Sequence, residues 1–164
     1  MPHRFRFVVA GTLIALLSAG IGYAVSAGVP VTLRPAGTTR YAFMTSDALR
    51  FSQTPHTWEP TLLSTSVTIP SGKTADVAVL FCSFNDPNGQ YIYVRAKIGG
   101  ALLEPDIAGE GVALRLGGEP QTNCVNFYKP NVAAGTKTIR VEWLAQNAEA
   151  YLRGRSMQVT LNIH

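Results

Sequence analysis

The chain has 164 residues, 14 of them basic and 10 acidic, for a formal net charge of +4. So small an excess, spread along the chain among acidic residues, argues against nucleic acid as a partner, which calls for a clustered basic patch. Apolar residues make up 46%, enough for one ordinary core without metals or dense disulfides.

The amino-terminal segment reads as an export signal. His3, Arg4 and Arg6 form a basic start, Phe7 to Ile21 is apolar or small, and Val25-Ser26-Ala27 puts small residues where a signal peptidase cuts. That order predicts a signal peptide over residues 1–27 and a secreted, periplasmic or cell-surface product beginning near Gly28. The alternative is a retained anchor. Phe7 to Ala27 just reaches the roughly 20 residues that span a bilayer, although Gly11, Ser18, Gly20, Gly22 and Ser26 dilute it. No second apolar stretch reaches that length, so no membrane partner is expected after cleavage. With Arg4 and Arg6 removed, 14 basic residues less two stand against 10 acidic ones, a net charge of about +2.

Residues 28–45 read as an extended lead-in and first strand, and residues 46–164 as the folded domain. Ser46 to Pro60 lacks alternation and reads as a long loop with a short strand. Beyond it the pattern has period 2, which places alternate side chains in a core and in solvent. Leu63, Val67 and Ile69 point inward. Val77 to Phe84 is largely apolar on both faces, as a strand covered on both sides would be. Ile92, Val94, Ala96 and Ile98 point inward, with Tyr91, Tyr93, Arg95 and Lys97 outward. Val112 to Leu116 and Cys124 to Lys129 make shorter strands. Ile139, Val141, Trp143 and Ala145 then face in, as do Met157, Val159, Leu161 and Ile163. Between these runs lie turn sequences: Pro70-Ser71-Gly72, Asp86-Pro87-Asn88-Gly89, Gly99-Gly100, Gly117-Gly118 and Ala134-Gly135-Thr136. Gly99-Gly100 suits a two-residue hairpin. Short strands with turn chemistry between them predict a single all-β domain, an antiparallel sandwich or barrel.

Cys82 and Cys124 both fall in predicted strands. In an exported chain such a pair most simply forms one disulfide. The chain-entropy model values a loop of roughly 40 residues at about 4 kcal/mol. The alternative is two buried thiols.

Several segments together resemble a known pattern. They are Val67-Thr68-Ile69-Pro70-Ser71-Gly72-Lys73, the strand ending Phe81-Cys82, Val94-Arg95-Ala96-Lys97-Ile98-Gly99-Gly100, Ala134 to Trp143, and the strand that starts Arg155-Ser156-Met157. Over residues 60–164 this resembles small exported bacterial β-sandwich proteins. It is also similar, more loosely, to the jelly roll of tumour necrosis factor and of the complement globular head. The resemblance implies a jelly-roll-like sandwich, often trimeric in that group, and assigns no functional residue.

Catalytic and metal motifs are sparse. Gly72-Lys73-Thr74 looks like part of a phosphate loop, but Val67 stands where that loop needs Gly, and a strand follows. His56 is the one histidine of the domain apart from His164, and no Gly-x-Ser-x-Gly is present. His56 and Glu59 are three apart, yet Pro55 and Pro60 make that segment a loop rather than a metal-binding helix. Glu104, Asp106 and Glu110 could serve as a carboxylate pair or a calcium site, and read more simply as an exposed acidic loop. Asp86 and Asn88 begin like a calcium loop and then lack its spacing. No metal and no cofactor is therefore expected.

The candidate site is the outward row Tyr91, Tyr93, Arg95 and Lys97. Aromatic rings offer flat apolar area with a polar tip, and the adjacent cations can pair with an acidic group. The leading expectation is a non-enzymatic exported module that binds a protein or a glycan there. The alternatives are a homo-oligomeric envelope or surface component, with the tyrosines between subunits, and a secreted hydrolase using the acidic cluster.

Overall fold

The computed structural model describes residues 37–106, 109–116 and 118–164. The expected signal peptide and most of the lead-in lie outside the described residues. Among the described residues every regular element is a strand: β1 (Thr38–Ser46), β2 (Arg50–Phe51), β3 (Glu59–Asp86), β4 (Tyr91–Ile98), β5 (Ala101–Leu102), β6 (Val112–Leu116), β7 (Gln121–Ala145) and β8 (Tyr151–Ile163). All named strand pairs are antiparallel.

β3 and β7 set the architecture. They pair from Glu59 opposite Trp143 to Asn85 opposite Gln121, with a register shift between Ile69 and Thr74. The shift falls on Pro70-Ser71-Gly72, and Gly135 lies across from it. Gly72 has φ 73° and Gly135 φ 112°, a backbone region open to glycine. Proline removes a ladder donor, and an irregular step of this kind bends a strand. Both strands therefore turn and pass from one layer into the other. The sequence reading takes these two places for turns between separate strands; they are bends inside continuous ones.

The first layer runs β1-β8-β3-β7, using the carboxy-terminal half of β3 and the amino-terminal half of β7. The second runs β3-β7-β4-β6, using their other halves. β2 extends the first layer along β8, and β5 adds to the outer edge of β4. This is the double-sheet order of a jelly roll, two interlocked Greek keys. The fold is an all-β antiparallel sandwich, jelly-roll-like, as expected.

The core lies between the layers. Val77, Val79, Phe81, Phe127, Met157, Val159 and Leu161 come from the first; Ile69, Ile92, Val94, Ala96, Ile139, Val141 and Trp143 come from the second. These are the inward positions of the period-2 pattern. The expectation that Val77 to Phe84 is covered on both sides is corrected. Its outer row of Ala78, Leu80, Cys82 and Phe84 is only half-buried at best, and Leu80 is 39% exposed. Cys82 and Cys124 sit opposite each other on that outer face and form the disulfide, their Cα atoms 4.1 Å apart.

Candidate functional site

The site is built on the outer face of the second layer. β4 carries Tyr91, Tyr93, Arg95 and Lys97 outward, since Ile92, Val94, Ala96 and Ile98 are buried. The neighbouring stretch of β7 sets Leu144 beside Tyr93, Glu142 beside Arg95 and Arg140 beside Lys97. Two tyrosines thus stand at one end of the row and an ion cluster at the other.

Glu142 is the hub of that cluster. Its Oε2 accepts from Arg95 at 2.7 Å and from Lys97 at 3.0 Å, and its Oε1 pairs with Arg140 at 3.0 Å. Burial pushes the Glu142 carboxyl up, but the bonds from Lys97 and Arg95 more than reverse this and leave its pKa lowered. Sequence reasoning places Glu142 outward, and it is. The three cations cover it to 8% exposure.

The loop before β3 completes the site with a residue that the sequence did not single out. Trp58 lies against Arg95, whose guanidinium is 4.0 Å from the ring centroid, a cation–π contact. Glu59 organises this loop. Its Oε1 accepts from the backbone N–H of Gln53 at 2.7 Å and of Thr54 at 2.8 Å, and from the Ser52 hydroxyl at 3.3 Å. The His56 N–H donates to Ala145 O at 2.8 Å, which ties the loop to β7. The considered pairing of His56 and Glu59 on a metal is therefore replaced by a carboxylate that folds the loop.

Arg155 supports the loop from beneath. It is 1% exposed and donates to the carbonyls of Thr61 and Ala48 and to the Ser46 hydroxyl. Burial, and to a lesser extent Arg50, lowers its pKa, yet an arginine stays charged at physiological pH.

Together these elements enclose an open groove of about 270 Å³, lined by His56, Trp58, Tyr93, Glu110, Leu144 and Gln146. Tyr91 neighbours Tyr93, their ring centroids 6.2 Å apart. Gly111 packs against Trp58. A Cβ there would come within 2.5 Å of Trp58 Cη2 and 2.6 Å of Val94 O, and its φ is 72°. Only glycine fits that contact.

The other sequence candidates are used structurally. Glu104 Oε2 accepts from the Asp106 N–H at 3.1 Å, and Asp106 Oδ1 accepts from the Gly111 N–H at 2.9 Å. Glu110 alone of the three acids lines the groove, so the carboxylate pair that a hydrolase needs does not assemble in it. Asp86 accepts from the Asn88 N–H at 2.8 Å and shapes its turn. Gly72-Lys73-Thr74 lies at the bend of β3, where Thr74 and His164 exchange backbone hydrogen bonds. Among the described residues no group of three His, Cys, Asp or Glu is arranged to hold a metal.

No family model and no curated protein matches the chain. Among solved structures it is similar to infectious bursal disease virus, Gx strain, at 13% identity and TM-score 0.45, covering 82% of this chain. It spans only 36% of that viral chain's length. It is also similar to the CBM36-1 domain of a multidomain xylanase from the hindgut metagenome of Trinervitermes trinervoides, at 16% identity and TM-score 0.38, covering 73% of this chain and 96% of that one. A third is the EclA C-terminal domain, a sugar-binding protein, at 13% identity and TM-score 0.39, with coverage of 80% and 86%.

Proposed function

We propose that this chain is a non-enzymatic module that acts outside the cell and binds a glycan on the outer face of β4. The observation that carries this reading is that Trp58 and Tyr93 line one groove together with His56 and Gln146, with Tyr91 beside Tyr93. A sugar ring has an apolar face and a polar edge. Flat aromatic rings beside a few polar groups match both. Arg95 and Glu142 fix the Trp58 ring before any ligand arrives, which lowers the ordering cost of binding.

A microarray of plant, microbial and animal glycans tests it. The full chain should be retained by a discrete set of glycans. Trp58→Ala and Tyr93→Ala should each weaken that binding at least tenfold, with the melting temperature little changed. Retention of full affinity by both variants would sink the site.

The homo-oligomer alternative has a different surface in its favour. Tyr41 and Phe43 project from the outer face of β1, 70% and 66% exposed. β1 is an edge strand without proline or a register break, and such edges pair readily with other strands. Light scattering decides this reading: a closed oligomer that Phe43→Glu dissociates supports it, and a monomer at working concentration rejects it.

A further inference from the structure

A second recess lies at the other end of the β4 row, where Lys97 stands. It holds about 330 Å³ and is lined by Lys97, Gly99, Gly100, Thr136, Lys137 and Arg140, with no carboxylate among its lining residues. Lys97 and Arg140 already share Glu142 with Arg95. Three cations on one carboxylate leave two positive charges uncompensated, and Lys137 adds another. Lys97 has a side-chain exposure of 18% and Arg95 of 15%, so their charges are screened less than fully exposed ones.

Two of these cations are also held in place. Glu142 anchors Lys97 and Arg140, and Gly99 leaves room for the Lys137 stem, which would lie 3.3 Å from a Cβ at that position. Thr136 and Thr138 bring hydroxyls to the same rim. Cations next to hydroxyl groups are a receptor for an anionic oxygen group, and the ion pairs of Glu142 with Lys97 and Arg140 reduce the ordering cost of binding there.

Tyr93 and Lys97 stand four residues apart on one strand, about 13 Å. A single extended ligand can therefore lie on the aromatic groove and reach the cationic recess. We infer that the ligand is an acidic saccharide, with a carboxylate or sulfate ester seated among Lys97, Lys137 and Arg140. This rests on the glycan reading above and narrows it. A nucleic acid fits less well, because the cations gather at one end of the face instead of tracking its length.

The test compares dextran, dextran sulfate, polygalacturonate and a single-stranded oligonucleotide as ligands of the full chain. Dextran and dextran sulfate share one backbone and differ in the sulfate esters, and polygalacturonate supplies carboxylates instead of sulfates. At least one acidic polysaccharide should bind tenfold or more tighter than dextran, and its affinity should fall as salt rises. Lys137→Gln with Arg140→Gln should remove that preference. Lys73→Gln with Arg153→Gln deletes the same number of charges elsewhere and should leave the preference intact.

Equal binding of dextran and the acidic polymers, indifferent to salt, would overturn this inference and leave the glycan reading standing. Acidic binding that survives both Trp58→Ala and Tyr93→Ala would overturn the aromatic site and with it the inference that rests on it. Failure of both acidic polymers to bind, tighter binding of the oligonucleotide, or an equal loss in the control variant would each overturn the inference.

Discussion

Glu142 and Gly111 carry the site at the scale of single residues. Glu142 neutralises part of a partly buried cation cluster, and removing it leaves Arg95 and Lys97 facing each other without a counter-charge. Glu142→Gln should cost about 2 kcal/mol, since an uncompensated, partly buried charge is expensive. A denaturant midpoint measures it. The pH dependence has a definite sign. A carboxyl whose folded pKa is lowered contributes stability above its unfolded value and loses it as pH falls through the folded one. This contribution should hold from neutral pH down to about 4, the ordinary carboxylate range, and fail only below it. Gly111→Ala acts by contact. Its Cβ would overlap Trp58 and the Val94 carbonyl, and the left-handed backbone adds strain. The cost should be about 1–3 kcal/mol, with displacement of Trp58 and at least a tenfold loss of glycan affinity by calorimetry.

At the scale of elements, the outward row of β4 is legible in the sequence because strand alternation is a local property. Tyr91, Tyr93, Arg95 and Lys97 stand where period 2 puts them. What surrounds them is not local. Glu142 and Arg140 meet Arg95 and Lys97 only because β7 pairs with β4 in one register, and Trp58 arrives from a loop folded by Glu59. The outward alternation of Arg140 and Glu142 is the one sequence signal that pointed there. The bends of β3 and β7 were read as turns for a related reason. Pro-Ser-Gly and Ala-Gly-Thr mark a break in regular backbone, and only the cross-strand partner tells a bend from a turn. Arg155 tests the loop as an element. Arg155→Met should leave the Thr61 and Ala48 carbonyls without their donor, cost about 2–3 kcal/mol, and weaken ligand binding although it touches no ligand. Faster hydrogen exchange confined to residues 46–61 is the readout.

Across the whole molecule, the two layers do different work. The first carries the disulfide on its outer face, on the other side of the core from the β4 groove. The bond joins residues 42 apart in sequence, and its removal in a Cys82→Ala, Cys124→Ala variant should cost up to about 4 kcal/mol. Calorimetric unfolding should show a lower melting temperature, while glycan affinity at 25 °C stays within about twofold, since distant sites without shared partners act independently. An antiparallel all-β sandwich or barrel was legible from strand spacing and turn chemistry, and the jelly-roll form was what the resemblance over residues 60–164 implied. Its division of labour was not, because which face stays open depends on how the long strands fold over one another. The most direct test of the glycan site is a chemical-shift map of the full chain with the glycan it retains most strongly on the array. Shifts clustered on Trp58, Tyr91, Tyr93 and the loop before β3 are the predicted result. Shifts clustered instead on Tyr41, Phe43 and Leu80, with β4 silent, would contradict it.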